Sequence, residues 1–306
     1  MRRALELAPS PKRSYVRTYY VFEPMFVYKI TILAAIALAI CLSGCRTTSY
    51  VAAPATAHEV DAPLPVVSIP VAVKAIFSDN LQQLYIINAA NELVKYDADG
   101  REAFRYKNTR LGRLEFVDTT DPFNLLAFHP DFGAVVTLGR TLAATGQFQL
   151  ADLGLNLVPV VALSGDNNLW LYDPDGNRLK KVDRKGKVVM ESEDLGLLLE
   201  LRPSPTYMVE RGGQLLLYDP KLGLLLFDIF ADYQTKLDIK GAEQLQVVDD
   251  VLFFVKDGQL ESLELKTLSR KKIALPVMLK EGDLLSLQKG RLFLAQKDVV
   301  QVFLIQ

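Results

Sequence analysis

The chain has 306 residues, 50% hydrophobic and 23% charged, which is enough apolar material for one large core and too much for a disordered chain. The formal net charge of −1 hides an asymmetry: residues 1–44 carry six basic and two acidic side chains, leaving −5 on the remainder. A mildly acidic body argues against a nucleic-acid partner. The only cysteines, Cys41 and Cys45, sit together near the start, so no disulfide framework or thiolate metal cage is available downstream.

Lys29 is followed by thirteen residues, Ile30 to Leu42, in which only Thr31 interrupts an apolar run, and then by Ser43-Gly44-Cys45. The run is short for a membrane span of about 20 residues, and small residues stand where a peptidase must fit the backbone. Residues 1–44 therefore read as a signal peptide, with Met25 as the expected true start and Cys41 discarded with the apolar run. Leu42-Ser43-Gly44-Cys45 resembles the bacterial lipobox. The resemblance implies that Cys45 is acylated and becomes the first mature residue. It implies membrane attachment through the acyl chains, since each buried methylene contributes about 0.8 kcal/mol and two chains suffice. Arg46 stands where an aspartate would signal retention in the inner membrane. The implied location is thus the outer membrane of a Gram-negative envelope, facing the periplasm or the cell surface. Residues 45–64 hold the lipidated cysteine and a spacer rich in Thr and Ala, with Pro54 and Pro63 and no apolar periodicity. His58, within this spacer, is expected to be solvated.

From residue 65 to 306 short strands alternate with turn residues and no helical stripe of useful length appears. Asn168 to Asp183 is the most legible unit: strand Leu169 to Tyr172, turn Asp173-Pro174-Asp175-Gly176, strand Arg178 to Val182. Proline presets φ, the aspartates can accept backbone NH groups, and glycine accepts the positive φ that follows. Aligning such hairpins on their first leucine picks out Leu84, Leu125, Leu169, Leu215, Leu252 and Leu292, in steps of 41, 44, 46, 37 and 40 residues. A period near 40 with about four strands per unit predicts an all-β, six-bladed β-propeller. A pair of sandwiches needs no such period, and an open solenoid would need polar caps. After Leu292 to Ala295 only Val299 to Ile305 remains, so the last blade lacks a strand. Val66 to Ile69 is spare and is predicted to pair with Val299 to Ile305, closing the ring and removing two exposed edges.

Residues suited to chemistry are few. Asp97-Ala98-Asp99-Gly100 and Asp173 to Gly176 share the opening of an EF-hand loop, but the twelfth residues are Asn108 and Arg184, not glutamate, so both are expected to be turns. His129-Pro130-Asp131 holds the only histidine of the body, one imidazole beside one carboxylate. His129, Asp131, Asp152 and Asn156 are the rim candidates, beside other loop acids and amides (Asp118, Asp121, Asn124, Glu191, Glu193, Asp194). No catalytic set assembles among them, and no cofactor is expected. Trp170, mid-strand, is expected in the core. Arg270-Lys271-Lys272 should charge an exposed outer strand.

Leu93 to Gly100 and Leu169 to Gly176, each a strand followed by D-x-D-G, resemble the rhythm of the six-bladed propellers related to the NHL-repeat group, found in bacterial envelope lipoproteins. The resemblance spans about residues 65–306 and implies the fold but no activity. Propeller lipoproteins of the outer-membrane barrel-assembly machinery share the idea of a tethered docking ring, yet they carry eight blades and recurrent tryptophans. Two functions follow. The first is a non-enzymatic scaffold that docks an envelope protein. The alternative is a lactonase-like hydrolase or small-ligand binder, with a divalent metal held in the central funnel by loop acids and amides.

Overall fold

The computed structural model describes residues 64–200 and 202–305; the leader, Cys45 and all but the end of the tether lie outside the described residues. Twenty-four strands form six four-stranded antiparallel sheets, the blades of a β-propeller. Blade 1 is β2 (Val73–Ser78), β3 (Leu84–Asn88), β4 (Leu93–Tyr96) and β5 (Glu102–Tyr106), and blade 2 is β6 (Phe116–Asp118), β7 (Asn124–His129), β8 (Ala134–Gly139) and β9 (Ala144–Gln149). Blade 3 is β10 (Val161–Leu163), β11 (Leu169–Asp173), β12 (Arg178–Val182) and β13 (Val188–Glu191). Blade 4 is β14 (Tyr207–Arg211), β15 (Gln214–Asp219), β16 (Gly223–Asp228) and β17 (Tyr233–Leu237), and blade 5 is β18 (Glu243–Val248), β19 (Val251–Lys256), β20 (Gln259–Glu264) and β21 (Arg270–Lys272). Blade 6 is β22 (Leu284–Gln288), β23 (Arg291–Gln296) and β24 (Val299–Leu304), completed on its outer side by β1 (Val67–Pro70).

The closure expected from the sequence is therefore present. β1 runs antiparallel to β24, with Val67 opposite Val302 and Ile69 opposite Val300. The hydrogen bonds from Val66 N to Val302 O and from Val71 N to Asp298 O, both 2.8 Å, extend the pairing at each end. The six repeat leucines all lie in the second strand of their blade and all are buried. These second strands are sandwiched between neighbouring blades, which is why they read as continuous apolar runs instead of alternating ones. Of the outer strands, β21 is fully exposed, as its Arg270-Lys271-Lys272 composition predicts.

The core is divided into six clusters, one in each gap between blades. The sixth gap is filled by Ile69, Val300 and Val302 of blade 6 against Ile76, Leu84 and Ile86 of blade 1, so both ends of the chain contribute to one cluster. Trp170 is fully buried between blades 3 and 4, as its mid-strand position predicts.

Consecutive strands alternate in direction, so the connections alternate between two faces. Turns between first and second and between third and fourth strands share one face; turns between second and third strands, and the crossings to the next blade, share the other. The two D-x-D-G runs, equivalent in sequence, consequently differ in place. Asp97 to Gly100 joins the third and fourth strands of blade 1, whereas Asp173 to Gly176 joins the second and third strands of blade 3, on the opposite face. The true counterparts of Asp97 are Asp183 and Asp228. Each places its Oδ1 under two backbone NH groups: Asp99 and Arg101 for Asp97, Lys185 and Lys187 for Asp183, Phe230 and Asp232 for Asp228, at 2.8–3.0 Å. In the Asp173 turn the left-handed residue is Asn177, at φ 51°, and not Gly176. Gly176 is required for space instead, since a Cβ there would stand 2.7 Å from Asp173 Oδ2.

Truncating the closing strand tests this architecture. Ile69→Ala, which empties a buried site in the joint between the chain ends, should cost about 2–5 kcal/mol in denaturant unfolding. Ser68→Ala, on the exposed side of the same strand, should stay within about 0.5 kcal/mol.

Candidate functional site

First strands β2, β6, β14, β18 and β22 line a central channel of about 550 Å³, within the range of small-molecule sites. Its wall is mixed, more apolar than polar, with Ser78, Thr119, Tyr207, Gln246, Ser286 and Gln288 among the polar lining residues; the charged groups there are Lys74, Asp118 and Glu243.

Each first strand has one edge with no strand beside it, so its inward NH groups need other acceptors. Side chains from the preceding blade supply them. Asp118 of blade 2, itself buried, accepts Leu163 N of blade 3 at 2.8 Å and its own Thr120 N at 2.9 Å. Gln244 and Gln246 of blade 5 accept Leu285 N and Leu287 N of blade 6, each at 2.7 Å. Blades 6, 1 and 2 are tied by hydroxyls and an amide: Ser78 Oγ and Ser286 Oγ are 2.6 Å apart, and Ser78 O accepts from Thr119 Oγ1 at 2.8 Å and Gln288 Nε2 at 3.1 Å. The Leu287 NH can only donate, so it fixes the Gln246 amide with its oxygen toward that NH. The Gln246 Nε2 is left buried without a protein acceptor.

A second polar cluster lies between blades 3 and 4. Glu210 accepts from Ser164 Oγ (2.7 Å), Gly165 N (2.8 Å) and the Trp170 indole NH. Lys181 Nζ lies 4.9 Å from the Trp170 ring centroid and bonds Asp166 at 2.7 Å. Burial would raise the Asp166 carboxyl, but the hydrogen bonds from Lys181 and Ser164 and the adjacent Lys181 charge outweigh it and bring its pKa down to about 2. Blade 1 repeats the arrangement with Tyr85 and Lys95, which face each other across β3 and β4 as Trp170 and Lys181 do across β11 and β12. Lys95 Nζ stands 5.1 Å from the Tyr85 ring centroid and donates to Arg140 O at 2.9 Å. These groups join blades; Tyr85, Lys95, Trp170 and Lys181 are buried, while Asp166 is exposed.

The rim candidates from the sequence are spread over one face and do not converge on the channel. His129 ends β7, fully buried, with its Nε2 3.3 Å from Tyr106 Oη and its Nδ1 without a partner. Burial lowers its pKa below the ordinary 6.5, against the pull of Asp131. Asp131 is exposed and accepts Arg113 N at 2.7 Å. Asp152, in a 3₁₀ turn over Leu150–Leu153, and Asn156 are exposed in the crossing from blade 2 to blade 3. Asp121 and Asn124 lie on the opposite face, and of the loop acids only Asp118 lines the channel. Among the described residues no three His, Cys, Asp or Glu side chains are grouped to hold a metal ion. Sequence reasoning missed Gln244, Gln246, Ser78 and Ser286. Their signal was a polar residue recurring at every second position of a first strand, Gln244 and Gln246 in Glu243–Val248 being the plainest case.

The geometry defines the chain as a six-bladed β-propeller. No protein-family model matches its sequence, and no curated protein matches it. Solved structures are similar to it in fold. A chain of the mitotic checkpoint complex aligns over 79% of this chain and 92% of its own, at 10% identity and TM-score 0.59. The WD40 domain of Pan2 from Neurospora crassa aligns over 74% and 73%, at 10% identity and TM-score 0.53. Virginiamycin B lyase from Staphylococcus aureus aligns over 75% and 80%, at 11% identity and TM-score 0.51.

His129 makes a pH prediction. Its folded pKa lies below its unfolded value, so the stability from keeping the ring neutral is complete above pH 6.5. It is lost as pH falls from there, because the unfolded chain takes the proton first, at up to about 1.4 kcal/mol per pH unit. Denaturation of wild type and His129→Gln between pH 7.5 and about 5 should show this extra slope in wild type alone.

Proposed function

We propose that this chain is a lipid-anchored docking propeller of the bacterial envelope, held at the outer membrane through acyl chains on Cys45 and presenting one face of its ring to an envelope protein partner. The reading rests on an apolar surface. The face formed by the turns between second and third strands and by the crossings between blades exposes Phe132 at 61%, Leu157 at 91%, Leu197 at 84% and Met278 at 86%. Large apolar side chains held this far into water across neighbouring loops suit a protein interface. Leu197 belongs to a short helix, α1 (Leu195–Leu199), whose first turn is capped by Asp194 accepting Gly196 N at 2.7 Å. The cap holds Leu197 and Leu198 outward in a defined geometry.

The route of the chain is consistent with this role. β1 ends beside the turn at Asp298, so the chain enters it from the opposite face. The face carrying Leu157, Leu197 and Met278 is therefore opposite the one from which the chain enters β1. A ring stiffened by six inter-blade clusters can present such a surface without ordering it on binding, which saves conformational entropy.

Three measurements test the proposal. Cys45→Ala should move the protein from the membrane to the soluble fraction. A photo-crosslinking residue at Leu157, Leu197 or Met278 should capture a discrete envelope protein in intact cells, whereas one at Phe123 or Phe230 on the other face should not. Leu157→Glu with Leu197→Glu should cut partner recovery at least about tenfold while leaving unfolding within about 0.5 kcal/mol of wild type. Crosslinks absent from the apolar face, or arising equally from both, would contradict the assignment.

A further inference from the structure

The docking face leaves the interior of the ring unused, and the channel has its own chemistry. We propose that the channel, at the level of Gln246, binds a neutral polyhydroxylated ligand, a mono- or short oligosaccharide.

Charge gives the first argument. Asp118 spends both carboxylate oxygens on Leu163 N and Thr120 N, so it has already been matched by the backbone. Lys74 and Glu243 are exposed near the mouth where the blade crossings lie, at the starts of β2 and β18. The middle of the channel is left with hydroxyls, amides and apolar side chains, and the oxygens of Asp118 are already turned to backbone NH groups.

Hydrogen-bond bookkeeping gives the second. Gln244 is satisfied at both ends of its amide, accepting Leu285 N and donating to Asp283 O at 2.8 Å. Gln246, two residues on, accepts Leu287 N and keeps a buried NH₂ with no protein acceptor. A buried unsatisfied donor costs about 1–3 kcal/mol, so an acceptor arriving in the channel has an unpaired group to meet. Tyr207 lines the same wall, and burial raises its pKa, so its hydroxyl keeps its proton and remains a donor as well. A sugar hydroxyl both donates and accepts, which matches a wall mixing spare donors with Ser and Thr oxygens.

Shape gives the third. Phe77, Phe116 and Tyr207 also line the channel, and Phe77 and Phe116 meet edge to face with centroids 5.6 Å apart. Apolar ring surface beside a few placed polar groups is the composition of a small-ligand site, and it suits the C–H faces of a pyranose ring.

The test is calorimetric titration of the full chain, purified in a detergent without a sugar headgroup, with maltotriose, N,N′-diacetylchitobiose and, as a charged control, glucuronate. Saturable binding of at least one neutral sugar with Kd of about 1 mM or below is expected, and glucuronate should bind more weakly. Gln246→Glu keeps the acceptor that Leu287 N requires but replaces the spare donor with an acidic oxygen; it should weaken sugar binding at least about tenfold. Tyr207→Phe keeps the ring and should weaken it about threefold or more. The proposal is overturned if neither neutral sugar binds saturably, if glucuronate binds more tightly than both, or if binding survives both substitutions in proteins that melt as wild type.

Discussion

Everything in this molecule depends on the pairing of β1 with β24. A propeller blade has apolar faces only because another blade stands on each side, so an open ring would leave two faces and two strand edges in water at once. Placing the first strand on the outside of the last blade makes the ends of the chain partners in one cluster, Ile69 and Val300 packing with Ile76 and Leu84. The ring then has no first or last blade, and each gap is supported by both neighbours.

Closure solves the outer edge but not the inner one. The strand nearest the axis must face the channel with half its backbone groups unpaired, and here side chains do what a further strand would do elsewhere. Asp118, Gln244 and Gln246 reach across to the next blade and accept its NH groups, and Ser78 and Ser286 join the blades on either side of the closure. The polar groups of the channel are there because the backbone requires them. The spare donor on Gln246 is the place where the structural requirement and a capacity for ligand recognition meet.

The architecture was legible because it is written in residues that repeat. A leucine opening the buried run of each second strand survives at a spacing of 37 to 46 residues, since loss of any one would open a cavity between two blades. The spare strand was legible by counting. The D-x-D-G runs were less informative, because an aspartate that accepts two NH groups serves any tight hairpin, so the same four letters occur on opposite faces. The channel residues were hidden for a different reason. β6 and β10 have three residues each, and β18 and β22 six and five, too short for a polar residue to stand out from ordinary strand alternation. His129 drew attention as the only histidine of the body, yet its position at the end of a buried strand makes it a packed side chain. The apolar loops at Leu157 and Leu197 carry no periodicity, and only the fold shows that they share a face.

The central claim is that this face is covered in the envelope. Hydrogen–deuterium exchange read on the same protein in native envelope membranes and after purification tests it directly. The account predicts that amides around residues 154–160, 194–199 and 276–282 exchange more slowly in the membranes, while those around 97–101 and 183–187 on the opposite face exchange alike in both. Equal exchange at the apolar loops in the two settings, or protection confined to the opposite face, would contradict it.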